Sequence, residues 1–133
     1  MNKNNNLVYG RGVGIVMLGG SWRPNGVGAV DNTLNIGDWF TVARTGVGLY
    51  TVTLRDLFVG IYGCSFSVQS VTGGTVYQCA PTAATGVSPD TLVSTTGAVP
   101  LVVSTAAGVA ADPVSNAANR VHMTFMMKNS TGQ

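Results

Sequence analysis

Residues 37–55 limit the fold more tightly than any other stretch of the chain. Gly37-Asp38-Trp39-Phe40-Thr41-Val42-Ala43-Arg44 alternates, with Phe40 and Val42 on one face. Leu49-Tyr50-Thr51-Val52-Thr53-Leu54-Arg55 alternates again, with Tyr50, Val52 and Leu54 on one face and Leu49, Thr51, Thr53 and Arg55 on the other. Thr45-Gly46-Val47-Gly48 supplies the turn between them. Two period-2 runs around a glycine-containing turn specify a β-hairpin.

The rest of the chain continues in the same mode. Residues 7–18 read as one long strand with Tyr9, Arg11, Val13, Ile15 and Met17 on one face. Gly10, Gly12 and Gly14 on the other face suggest close approach of a backbone or a bulky side chain. Residues 57–69 predict a strand in which Phe58, Gly60, Tyr62, Cys64, Phe66 and Val68 share a face. Residues 75–80 and 98–105 predict two more, and 120–128 closes the fold with Val121, Met123, Phe125 and Met127 inward. Residues 19–26, 81–97 and 106–119 read as loops. Val and Thr are stiff in helices and pack well on pleated sheets. The expected fold is all-β: an antiparallel β-sandwich or jelly-roll-like barrel of about seven to eight strands. Its 133 residues suit a single domain at 7–133, preceded by a flexible polar arm at 1–6.

Charge and chemistry narrow the function. Only 9 % of residues are charged and none is glutamate, which excludes a disordered chain and argues against a helical bundle. The net charge of +2, with basic residues spread out, predicts no nucleic-acid partner. No membrane association and no targeting segment are expected. Cys64 and Cys79 fit no metal spacing; a hairpin of residues 61–68 and 75–80 would bring them near each other, but a cytosolic product stays reduced and they read as free buried thiols. His122 stands alone on an outer strand face. Asp38 and Asp56 flank the hairpin, where aspartate commonly serves turns. No metal, cofactor or catalytic constellation emerges, so the chain reads as a non-enzyme. Low charge also leaves little to keep a lone monomer soluble, which points to surface covered by copies of itself or by a partner. Arg11, Trp22, Arg23 and Trp39 are the candidate interface anchors; the alternative for Trp22 is a cap on the core edge.

Two stretches carry a resemblance. Phe40-Thr41-Val42-Ala43-Arg44-Thr45-Gly46-Val47-Gly48-Leu49-Tyr50-Thr51-Val52-Thr53-Leu54 resembles a hairpin of phage head and tail surface proteins, Val-x-Arg-x-Gly-x-Gly-x-Tyr-x-Val-x-Leu. Ala110-Ala111-Asp112-Pro113 with the strand from Arg120 to Ser130 is similar to the terminal region of small capsid-associated proteins. Together they cover under a third of the chain. The resemblance is to cement or decoration proteins of tailed bacteriophages. It implies a β-sandwich virion protein, made in the host cytoplasm, that binds the major capsid protein on the capsid exterior as a homotrimer. It implies no catalytic residues. The alternatives are a tail- or head-fibre module and a carbohydrate-binding module, the latter with a glycan partner and an aromatic lying flat on an exposed face.

Overall fold

Alternation in the sequence becomes alternation of burial in two sheets packed face to face. The computed structural model describes residues 7–9, 14–71, 75–82 and 86–128. Along the chain run β1 (Leu7–Tyr9), β2 (Gly14–Trp22), β3 (Phe40–Gly46), β4 (Leu49–Leu54), β5 (Gly60–Gln69), β6 (Tyr77–Pro81), α1 (Pro89–Thr95), β7 (Ala98–Thr105) and β8 (Arg120–Lys128). The sheets have the orders β1-β2-β8-β5 and β3-β4-β7-β6, antiparallel throughout. Setting the three-residue β1 aside leaves seven strands, three in the first sheet and four in the second. This is the expected all-β sandwich, open at its edges and not a closed barrel.

The predicted hairpin forms as β3 and β4, with Phe40 opposite Leu54, Val42 opposite Val52 and Arg44 opposite Tyr50. β8 alternates as its sequence predicts, burying Val121, Met123, Phe125 and Met127 and exposing His122, Thr124 and Met126. These inward rows meet Val52, Leu101 and Val103 from the other sheet in one core.

Several expectations change. Residues 7–18 are not one strand, because Leu7–Tyr9 pairs antiparallel with Gly14, Ile15 and Val16; Gly10 and Gly12 lie outside the described residues. β2 continues through Gly19 and Gly20 to Trp22, so the predicted loop at 19–26 begins later. Tyr62 leaves the face of Cys64 and Phe66, because a bulge between Ile61 and Gly63 turns it outward. The loop predicted at 81–97 contains α1. Ser88 caps it by accepting a hydrogen bond from the Asp90 amide, Pro89 opens it, and Val93 is buried beneath it.

Trp22 and Trp39 are corrected from interface anchors to core residues, since both are buried between the sheets. Trp22 packs on Tyr50 with ring centroids 4.7 Å apart, and Trp39 meets Phe125 edge-on at 5.6 Å. Gly20 makes room for this. A Cβ there would lie 2.8 Å from Phe40 Cε1 and 3.1 Å from Trp39 Cζ2. Burial of such large apolar rings outweighs their value at a surface. Trp39 Nε1 donates to the Gly19 carbonyl at 2.9 Å, whereas Trp22 Nε1 has no partner among the described residues.

Candidate interaction surface

Asp112 organises one end of the sandwich. Arg44 donates to it through Nε at 3.1 Å and Nη2 at 2.7 Å, the Gly48 amide at 2.9 Å and the Tyr50 hydroxyl at 2.8 Å. The Asp112 side chain is only 6 % exposed, so its charge is removed from water but fully paired. The Arg44 hydrogen bonds hold its carboxyl below the usual carboxylate range against the opposing effect of burial, helped by Gly48 and Tyr50. Burial, then the hydrogen bond to Asp112, pushes the Tyr50 hydroxyl above its ordinary range. Gly48 sits at φ +65°, and a Cβ there would collide with the Val103 carbonyl and the Ala111 amide.

This junction ties the β3–β4 turn to the loop after β7. Val103 N donates to the Gly48 carbonyl at 2.7 Å, Thr105 N to the Val109 carbonyl at 2.9 Å, and Ala106 N to the Val76 carbonyl at 3.1 Å. Three turns are thereby stitched together, and each presents a valine. Val47 is 59 % exposed, Val76 66 % and Val109 63 %, with Leu49 beside them at 43 %. The ionic pair beneath them is internally neutralised. The result is an apolar end on a rigid frame.

The outer face of the second sheet continues from this end. Its outward positions include Thr41, Ala43, Thr51, Thr53, Ala80, Pro100 and Val102, in neighbouring registers across β3, β4, β7 and β6. The only charged side chain on these four strands, Arg44, is committed to Asp112. The first sheet's outer face is more polar. It carries a shallow trough of about 340 Å³ over Gly19, Ser65, Ser67 and Thr124, beside His122, whose Nε2 lies 3.1 Å from Gln69 Oε1.

On two of the four edge strands a side chain occupies backbone groups. Asn32 uses its amide twice on the β3 edge, accepting from Val42 N at 2.7 Å and donating to the Val42 carbonyl at 3.1 Å. Asp90 on α1 accepts from Ile61 N at 2.9 Å on the β5 edge. Both occupy groups that would otherwise template another strand.

Of the four sequence-predicted anchors, Arg23 alone is described and outside the core, and it is half-buried. It borders a cleft of about 130 Å³ with Asn25, Asp31 and Ser115, and its Nε has no hydrogen-bond partner among the described residues. Arg11 lies outside the described residues, and the two tryptophans are core. Sequence reasoning missed Asn32 as an edge cover and Asp112 as a junction. Among the described residues no group of three or more His, Cys, Asp or Glu side chains gathers to hold a metal, and no helix is long and apolar enough to cross a membrane. No family model, curated protein or solved structure matches this chain.

Proposed function

We propose that this chain is a non-catalytic structural protein of a tailed-phage virion, binding the capsid exterior as a homotrimer. The observation that supports this most is the uncharged outer face of β3, β4, β7 and β6, continuous with the rigid end carrying Val47, Leu49, Val76 and Val109. Such a surface loses little on desolvation and gains by apolar burial.

Size argues for several contacts per copy. Four strands about 4.8 Å apart, with about seven residues rising ~3.3 Å each, give a face of roughly 400–450 Å². A standard interface takes about 800 Å² from each partner. The sheet face alone falls short. A trimer seated on a lattice combines the face with the apolar end and with contacts to neighbouring copies. Binding only the assembled shell then stabilises that shell by RT ln(1 + [L]/Kd) at each site. The major capsid protein is the proposed partner, and the capsid surface the proposed location.

The carbohydrate-binding reading is disfavoured because both tryptophans are buried. Tyr62 alone among the described aromatics is exposed. Capsid co-sedimentation run beside a glycan array separates the readings. Pelleting with capsids at a saturating ratio and silence on the array are expected; the reverse pattern would favour a sugar-binding module.

A further inference from the structure

Cys64 and Cys79 are both free, and they lie on β5 and β6, the edge strands of opposite sheets. These edges face each other across the open side of the sandwich, joined by the short connection from Gln69 to Tyr77. Both thiols pack against the same core between the sheets. Cys64 also lines an apolar cavity of about 200 Å³ between β5, β7 and α1, beside Pro100 and Leu92. Of the two residues, Cys64 is the one that borders this open space.

We propose that Cys64 and Cys79 form an oxidative modification site, in which a low-molecular-weight disulfide such as oxidised glutathione converts them into a covalent clasp between the sheets. The Cys64 thiolate attacks one sulfur of the reagent, forming a mixed disulfide and releasing one glutathione thiolate. The Cys79 thiolate then attacks Cys64 Sγ, the protein disulfide forms, and a second glutathione leaves. Two protein thiols lose their protons and the reagent is reduced to two thiols. Burial, with the neighbouring Cys64 adding to it, pushes the Cys79 thiol up to about 12, so the exchange is slow at neutral pH and faster in alkali. The chemistry is independent of the virion reading. Only its timing, after release from a reducing cytoplasm, rests on that reading.

The test is incubation of the folded protein with oxidised glutathione at pH 8.5, followed by intact mass, non-reducing peptide mapping and thermal unfolding. The expected product is a monomer lacking two hydrogens, with Cys64 joined to Cys79 and a thermal midpoint raised by roughly 5–10 °C. Cys79→Ser should stop at a single glutathione adduct on Cys64. Stable double adducts, intermolecular dimers, unreacted thiols or a lowered midpoint would each overturn the proposal. Capsid binding is measured separately, so failure here leaves the functional reading untouched.

Discussion

Arg44 and Asp112, sixty-eight positions apart in the chain, meet in a two-pronged ion pair, with Nη2 at 2.7 Å from Oδ2 and Nε at 3.1 Å from Oδ1. The pair joins the β3–β4 hairpin to the connection between β7 and β8. It also explains the spacing of the hairpin motif. Arg44, Gly48 and Tyr50 recur at every second or fourth position because all three converge on one carboxylate.

Removing that carboxylate leaves a part-buried guanidinium, an amide and a hydroxyl without their acceptor. Asp112→Ala should lower unfolding free energy by about 2–3 kcal/mol. Asp112→Asn keeps the shape and should cost less. Chemical denaturation checks both, and an unchanged midpoint for Asp112→Ala would mean the junction is not structural.

The same network sets the acid limb of stability. The Asp112 carboxyl titrates below its ordinary value of 3.8 in the fold. Its contribution is therefore full above that value and lost as pH falls through the lower, folded value. At the other end, the Cys64 and Cys79 thiols titrate above 9.0 and the Tyr50 hydroxyl above 10.0 when folded, so stability should decline as pH rises past about 9 and then 10. Urea midpoints across pH should show a plateau between these limbs. Asp112→Asn should flatten the acid limb and lessen the Tyr50 part of the alkaline one, leaving the thiol part in place.

Asn32 predicts a different failure. Asn32→Ala removes two hydrogen bonds to Val42 and should destabilise the protein by about 1–2 kcal/mol. It also frees the β3 edge, so light scattering should show concentration-dependent aggregation absent from the parent. Destabilisation without aggregation would assign Asn32 a purely local role.

Surface variants separate binding from folding. Thr51→Lys places a charge on the uncharged sheet face without disturbing the core. Its thermal midpoint should stay near the parent's, since exposed substitutions usually fall within about 0.5 kcal/mol. Its affinity for capsids, measured by co-sedimentation, should weaken at least tenfold. Unaltered capsid binding would move the interface elsewhere.

The alternation of Val121 to Met127 and of Tyr50 to Leu54 was readable because one face of each strand is buried and the other wet. The register of neighbouring strands was not, since Thr-Val-rich runs look alike whichever strand they pair with. The pairing of Leu7–Tyr9 with Gly14–Val16 is not legible for the same reason, since alternation does not say where one strand ends and the next begins. The Ser88-Pro89-Asp90 signature of α1 was present, but seven residues yield too little periodicity to stand out from a Pro-Thr-Ser loop. Trp22 and Trp39 illustrate the limit for sites, because residue type favours hot spots and large cores equally. Asp112 was one of five aspartates, and only the folded chain brings it to Arg44.

The decisive measurement is co-sedimentation of the purified chain with capsids from its own source, using the parent and a Val47→Asp/Leu49→Asp double variant of equal thermal stability. The parent should pellet to a fixed saturating ratio while the double variant stays in the supernatant. A parent that never pellets, or a double variant that binds equally well, would contradict a capsid-binding role for the rigid apolar end and the sheet face beside it.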